Sequence, residues 1–263
     1  MKRILIVAHP DDEVLFFSSL LKIVNQIIVC FGPSGNVIVD KGREKLKQLY
    51  PISNVNWLEI KESDTFLSAS WKNPIVTVSG LRVSRNKNKY EDNYKKIINK
   101  FKNILIGFDE VYTHNPWGEY GHEEHVSVFK AVHKVAKRKK IKIFVSSYMS
   151  DRASTLFQKQ KHFLDKDIQS RVIPKDTCAQ LKFLYIKTNC WTWNNGYEWP
   201  QSEIFIKINN FYKSKIIQNN VLTSNPPVMI LTRSFKYDYL RRLAANALPL
   251  SLIKFIKRVL KIF

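Results

Sequence analysis

Cysteine is scarce in this chain. The sequence contains three cysteines, Cys30, Cys178 and Cys190, and no two of them form a C-x-x-C pair. An odd number at these spacings does not make a disulfide framework. We therefore expect a protein of a reducing compartment, and place it in the cytoplasm.

Long apolar runs are also missing. No stretch approaches the roughly 20 apolar residues that are needed to span a bilayer. The N-terminus enters an apolar strand at once, so we expect no secretory signal. The segment Gly32-Pro33-Ser34-Gly35 lacks the G-x-G-x-x-G pattern, and its absence disfavours a dinucleotide site.

Acidic residues are few: the chain has 22 of them and 43 lysines and arginines, so its formal net charge is +21. Such an excess favours an anionic neighbour: nucleic acid, anionic lipid or a phosphorylated substrate. The abundance of lysine, asparagine and isoleucine also fits an A/T-biased coding preference, which needs no partner. No zinc-finger or RNP-like spacing occurs, so nucleic acid is the least favoured of the three.

The hydropathy pattern alternates between strands and helices. A chain of 263 residues with 44% hydrophobic residues is long enough for one large domain. We predict an α/β, Rossmann-like fold with a mostly parallel sheet and helices on both faces. The predicted strands are 4–7, 26–31, 55–60, 110–113 and 141–147, and the predicted helices are 14–24, 41–50, 90–101 and 123–137. The domain is expected to span residues 1–238, and segments 71–90 and 187–203 have no assigned role.

Chemistry-bearing residues follow the first predicted strand directly. Ala8-His9-Pro10-Asp11-Asp12-Glu13 stands at the carboxyl end of Ile4–Val7, the edge at which open α/β sheets bind ligands. A histidine and three acids packed there would resist desolvation unless a cation compensated them. An isolated motif of this kind could also be a helix N-cap.

A second motif follows a later strand. Residues 113–125 read THNPWGEYGHEEH and contain His122 and His125 three positions apart. A catalytic zinc usually takes three protein ligands, so a histidine from this motif would complete a set with His9 and Asp12. Whether His114 supports the site or only ends its strand stays open.

In order and separation, the two motifs resemble those of the LmbE-like or PIG-L-type de-N-acetylases, zinc hydrolases that remove acetyl groups from N-acetylglucosamine-containing compounds. The resemblance covers roughly the first 150 residues. It implies His9, Asp12 and His125 as metal ligands and Asp11 as general base. It implies His122 as a charged stabiliser of the developing oxyanion or as a proton donor. Zinc suits this ligand set, and so does ferrous iron.

Substrate contacts are predicted around the second motif. Trp117 and Tyr120 have flat faces suited to stacking on a pyranose ring, although both could simply wall the pocket. The aromatic segment 191–199 could form the opposite wall or be strand core. Arg43 is a further candidate, although family members usually carry a glutamate one helical turn after this arginine, whereas Glu44 follows Arg43 directly.

The C-terminus is basic and amphipathic. In the predicted tail 239–263, residues 250–263 place lysines and one arginine on one helical face and apolar residues on another. Such a helix can lie on an anionic membrane surface or dock on its own domain. We thus expect a metal-dependent deacetylase of an N-acetylated sugar, free or on a lipid or glycan, located in the cytoplasm or on the inner face of the membrane. The alternative is a non-catalytic basic protein of the same fold that binds membrane or anionic polymer.

Overall fold

A seven-stranded sheet forms the centre of the molecule. The computed structural model describes residues 1–209 and 227–231. The sheet order is β3-β2-β1-β4-β5-β8-β7, and β6 pairs with β9 in a separate two-stranded sheet. The strands are β1 (Arg3–Val7), β2 (Gln26–Phe31), β3 (Val55–Ile60), β4 (Glu110–Thr113), β5 (Lys142–Ser146), β6 (Tyr148–Met149), β7 (Leu164–Val172), β8 (Ser202–Ile208) and β9 (Met229–Ile230).

Helices connect the strands in the alternation that the sequence predicts. They are α1 (Asp12–Phe16), α2 (Val37–Leu49), α3 (Lys87–Ile104), α4 (Glu123–Lys139), α5 (Ser154–Gln160) and α6 (Lys175–Lys187). Short 3-10 turns cover Ser18–Leu20, Asp151–Ala153 and Lys161–Phe163. Within the described residues, no helix is long and apolar enough to cross a membrane.

The predicted α/β fold with a mostly parallel sheet is confirmed. Strands β1 to β5 are parallel, whereas β8 runs antiparallel to both β5 and β7. Ile4, Leu5, Ile6 and Val7 of β1 are completely buried, as expected for a strand that is covered on both faces. Because β2 and β4 flank β1, the strand order reverses here and a crevice opens at the carboxyl ends.

One predicted helix differs from the structure, and the two segments without an assigned role are largely irregular. The helix predicted at 14–24 is limited to α1 and a 3-10 turn, because Phe17 at φ −143° leaves the helical conformation. Most of segment 71–90 is irregular, with bridges Ala69–Val83 and Val76–Leu81, before α3 begins at Lys87. The aromatic segment 191–199 is a loop, so it is not the core strand that was one of its two predicted alternatives. The boundary predicted at 238 and the tail 239–263 lie outside the described residues.

Candidate metal centre

Two sequence motifs meet at the carboxyl ends of neighbouring strands. β1 leads into the turn that contains His9, and Asp12 is the first residue of α1; β4 leads into the loop before α4, whose first turn contains His125. The parallel pairing of β1 with β4 brings these loops to the same edge of the sheet. All three side chains are buried.

The potential ligand atoms form a nearly equilateral triangle. Each pair among His9 Nδ1, His125 Nε2 and Asp12 Oδ2 is 3.3 Å apart. A point in their plane and equidistant from them lies about 1.9 Å from each atom, and zinc sits roughly 2.0–2.2 Å from nitrogen and oxygen ligands. A divalent ion therefore fits these three atoms without movement of the backbone.

Two glutamates orient the imidazole rings. His9 Nε2 donates to Glu124 Oε2 at 2.8 Å, and His125 Nδ1 donates to Glu119 Oε2 at 2.7 Å. With those nitrogens protonated, the opposite nitrogens carry lone pairs that face the centre of the triangle. Burial alone would lower the pKa of His9, but hydrogen bonds with Asp12 and Glu124 raise it well above the ordinary value. The carboxylates of Asp12 and Glu124 thus favour positive charge at this place, on the His9 ring or on a bound cation.

His114 supports the site through contacts with Glu119 and His125. Its Nε2 accepts a hydrogen bond from the Ala8 backbone N–H at 2.8 Å, and its Nδ1 donates to Glu119 at 3.0 Å. The ring also stacks on His125, with centroids 3.8 Å apart. Since both nitrogens are engaged, His114 is better suited to orienting its neighbours than to binding a metal.

Sequence reasoning missed the roles of Glu119 and Glu124. Glu119 also accepts from Asn115 N at 3.0 Å and from Ser146 Oγ, so four donors converge on one carboxylate. Glu124 accepts from both the backbone N–H and the hydroxyl of Ser63. The available signal was that both acids lie inside the second motif, next to the histidines that they orient.

Asp11 lies beside the triangle in an uncommon backbone conformation. Its φ of 89° falls in the left-handed region. One carboxylate oxygen accepts from the Thr192 N–H at 2.9 Å and from the Thr192 hydroxyl at 2.7 Å. Burial and the neighbouring Asp12 raise the pKa of Asp11 to about 8, and the bonds from Thr192 oppose this shift. Segment 187–203 therefore contributes directly to the site.

His122 caps α4 and faces the cluster. Its Nδ1 accepts from the Glu124 N–H at 3.2 Å, and one ring nitrogen lies within 4.8 Å of ligand atoms of His9 and His125. Burial and those two histidines hold the pKa of His122 well below its usual value. The predicted roles were a charged stabiliser or a proton donor; this geometry instead indicates a neutral imidazole whose Nε2–H can donate a hydrogen bond.

The predicted substrate contacts divide into two groups. Tyr120 lies at the site, with its ring centroid 5.2 Å from that of His125 and 4.8 Å from that of Trp193. Trp117 is wrong as a stacking residue, because it is completely buried and its indole donates to the Tyr148 carbonyl. Arg43 is also buried, and its guanidinium binds the Gly32 carbonyl and Glu62 instead of lining an open surface.

A family model called PIG-L, GlcNAc-PI de-N-acetylase, matches residues 4–136, which is half of the chain. The chain belongs to the PIG-L family. The match includes both motifs and ends before Thr192, so the segment that reaches Asp11 lies beyond it.

Other relatives are distant. "Uncharacterized protein L374" of Acanthamoeba polyphaga mimivirus is 24% identical over 185 residues, which are 66% of this chain and 74% of that protein. Among solved structures, the zinc-inhibited form of teicoplanin deacetylase Orf2 superposes with a TM-score of 0.52 at 14% identity, covering 79% of this chain and 98% of the other. A deacetylase–teicoplanin complex gives 0.51 at 13% identity, with the same coverage. These similarities establish the fold of this PIG-L family member.

Proposed function

We propose that this protein is a metal-dependent deacetylase that hydrolyses the acetamide of an N-acetylglucosamine-type sugar and releases acetate and a free amine. The observation that carries the proposal is the triangle of His9, Asp12 and His125, with two lone pairs and a carboxylate oxygen directed at one point. Family membership supports the acetamide as the bond that is cleaved.

These ligands suit zinc, and also ferrous iron. Such an ion would polarise the acetyl carbonyl and make water acidic enough to attack at neutral pH. Glu119 and Glu124 keep the two imidazoles in the tautomers that a metal requires. Carboxylates in this position raise the basicity of the ligands and fix the ring orientation.

Asp11 is suited to move the protons. It adjoins the ligand Asp12, and its own carboxylate bonds Thr192 through a single oxygen. A base whose pKa lies near the working pH is the most effective, and that of Asp11 is raised to about 8. We propose that Asp11 takes the proton from the attacking water and returns it to the leaving amine.

His122 is suited to stabilise the charge that develops on the acetyl oxygen. Because its Nδ1 accepts from the start of α4, the neutral ring keeps its proton on Nε2. A preorganised donor of this kind in a buried site stabilises an oxyanion more strongly than water does.

An apolar wall beside the centre fits a sugar ring. Tyr120 and Trp193 lie edge to face, and Phe16 contacts both. Aromatic faces of this kind stack on the C–H face of a pyranose. The solved relatives are described as acting in teicoplanin biosynthesis, and the family description names a phosphatidylinositol-linked sugar. Both support an acetylated sugar that is attached to a larger lipid or glycan.

The decisive test is acetate release from a panel of N-acetylhexosamine conjugates, with and without a chelator. We expect activity that is lost on chelation and restored by zinc or ferrous iron. His125→Ala should lose both metal and turnover, whereas Asp11→Ala should keep the metal and lose most turnover. His133→Ala, in the same helix but outside the cluster, is the matched control. Full activity of Asp11→Ala, or activity that survives metal removal, would refute the proposal.

We also propose that residues 250–263 contact an anionic membrane surface, which would place the enzyme at the inner face of the membrane. The support is the sequence alone, with no acid after Asp238. Truncation after residue 249 should abolish sedimentation with vesicles that contain phosphatidylserine, while hydrolysis of a water-soluble sugar stays unchanged. Equal sedimentation of the truncated and full chains would contradict this.

A further inference from the structure

A column of stacked planar groups leads from the edge of the site to the metal centre. The Arg152 guanidinium carbon lies 5.3 Å from the centroid of the Phe66 ring. Phe66 lies 4.7 Å from His122 at an interplanar angle of 15°, and His122 lies 4.7 Å from His125 at 13°. The nearly parallel planes show that Phe66 covers the face of His122 opposite His125.

Arg152, which contacts the Phe66 ring, is itself fixed by several neighbours. The Arg152 guanidinium also lies 5.1 Å from the Trp71 ring, so it sits against two aromatic faces. It donates to Glu123 at 3.4 Å, and the same carboxylate oxygen accepts from Ala69 N and Trp71 Nε1. Cation–π attraction to both rings and this buried carboxylate keep Arg152 in place.

The backbone around Phe66 is constrained. Asp64 and Leu67 have φ values of 54° and 64°, in the left-handed region that a branched residue such as leucine rarely adopts. The Arg85 guanidinium donates to the carbonyl oxygens of Asp64 at 2.9 Å and Phe66 at 3.0 Å. Strained conformations persist only where surrounding contacts hold them, and here those contacts hold the Phe66 side chain over His122.

We infer that Phe66 is a positioning residue for His122: its ring fixes the plane of the imidazole for hydrogen-bond donation to the substrate. The hydrogen bond that His122 Nδ1 accepts from Glu124 N sets one direction of the ring, and the stack between Phe66 and His125 sets its tilt. This inference rests on the proposed function, in which His122 donates to the acetyl oxygen.

An aliphatic side chain of similar size separates positioning from packing. Phe66→Leu keeps an apolar contact but loses the flat face. We expect kcat on a soluble N-acetylglucosaminide to fall on the order of tenfold, with KM changed less than about twofold and metal content unchanged. Phe66→Tyr should retain kcat within about threefold. Phe183→Leu makes the same exchange at a residue in α6 that is 66% exposed, and should behave as wild type.

A double-mutant cycle shows whether Phe66 acts through His122. If it does, Phe66→Leu should have no further effect on kcat in a His122→Ala background. Multiplying effects of the two substitutions would overturn the inference, because Phe66 would then act independently. Loss of metal in Phe66→Leu, or unchanged kcat, would overturn it as well.

Imidazole NMR gives a readout that does not depend on turnover. In the wild type, the Phe66 ring current should shift the His122 ring protons upfield, and Phe66→Leu should remove that shift while Phe66→Tyr preserves it. Unchanged His122 resonances in Phe66→Leu would refute the stack even if the wild type proved inactive. Inactivity of the wild type with the expected NMR shifts would instead refute the proposed function.

Discussion

Which ring nitrogen carries the proton in His9 and in His125 determines whether the histidine cluster can bind a metal. His9 and His125 each place one nitrogen at hydrogen-bond distance from a glutamate, and the remaining nitrogens face each other at 3.3 Å. The same two rings in the opposite tautomers would present N–H groups to the centre and repel a metal. Glu119 and Glu124 therefore determine whether the three ligand atoms act together.

Replacing Glu119 with glutamine tests this role. The carboxylate now accepts hydrogen bonds from four donors. A glutamine would replace one acceptor oxygen with an NH₂ group, which cannot accept from these donors, so the His125 tautomer would no longer be fixed. We expect zinc affinity to fall about 10- to 100-fold, as measured by competition with a chromophoric chelator. Glu44→Gln, on the exposed side of α2, is the control. An affinity within twofold of wild type would show that Glu119 has no such function.

A site residue could be predicted from the sequence when its role follows from the motif in which it stands, and not when its role depends on distant neighbours. The residues of the first motif suggested His9 and Asp12 as a pair of ligands, the family resemblance implied His125 as the third, and the structure brings the three ligand atoms together. The roles of Glu119 and His114 depend on which nitrogen faces which neighbour, and no sequence pattern carries that information. The burial of Trp117 is likewise set by the Tyr148 backbone carbonyl and the Phe157 ring, which contact it from distant parts of the chain.

Among the elements, β8 anchors the 3-10 turn that follows α1. Glu203 of β8 is completely buried and accepts hydrogen bonds from the backbone N–H and the hydroxyl of both Ser18 and Ser19. These four bonds tie the 3-10 turn after α1 to the sheet. They also explain why the predicted longer helix is replaced by a short helix and a turn.

Glu203→Ala should therefore destabilise the fold. The substitution leaves the buried donors of Ser18 and the partly buried donors of Ser19 without their acceptor, and hydrogen bonds to a charged group contribute roughly 1.5–3 kcal/mol. We expect about 3 kcal/mol less free energy of unfolding in urea. Glu198→Ala, at an exposed position five residues earlier, should change stability little. Equal urea midpoints for the two variants would contradict this account.

Sequence patterns predicted the parallel strands better than the antiparallel edge strand β7. β2, β3 and β4 have the predicted bounds: nearly every residue of β2 and β4 is buried, and β3, the edge strand at the other side of the sheet, reads Val-Asn-Trp-Leu-Glu-Ile with four apolar residues among six. β7 reads Leu-Asp-Lys-Asp-Ile-Gln-Ser-Arg-Val and is mostly exposed, so it lacks the apolar signal of a buried strand. Its antiparallel pairing with β8, and the irregular path of 71–86, depend on contacts with distant parts of the chain.

For the whole molecule, the site is assembled from segments far apart in the sequence. β1 pairs with β4 across more than a hundred residues, and Thr192 reaches Asp11 across 181 positions. The proposed metal ligands are therefore not preassembled in the unfolded chain, where His9 and Asp12 are well separated from His125. A divalent ion should stabilise the native protein by about 2.7 kcal/mol at a concentration 100 times its dissociation constant.

That long-range assembly has a kinetic consequence. Contacts between such distant segments are slow to form, and a coordination site made from them should be completed after the rate-limiting barrier. Saturating zinc should then slow unfolding while leaving the refolding rate nearly unchanged. Stopped-flow traces in urea, recorded with metal-loaded protein and with His125→Ala, would resolve the two rates. Acceleration of refolding by zinc would mean that the two motifs already meet in the transition state.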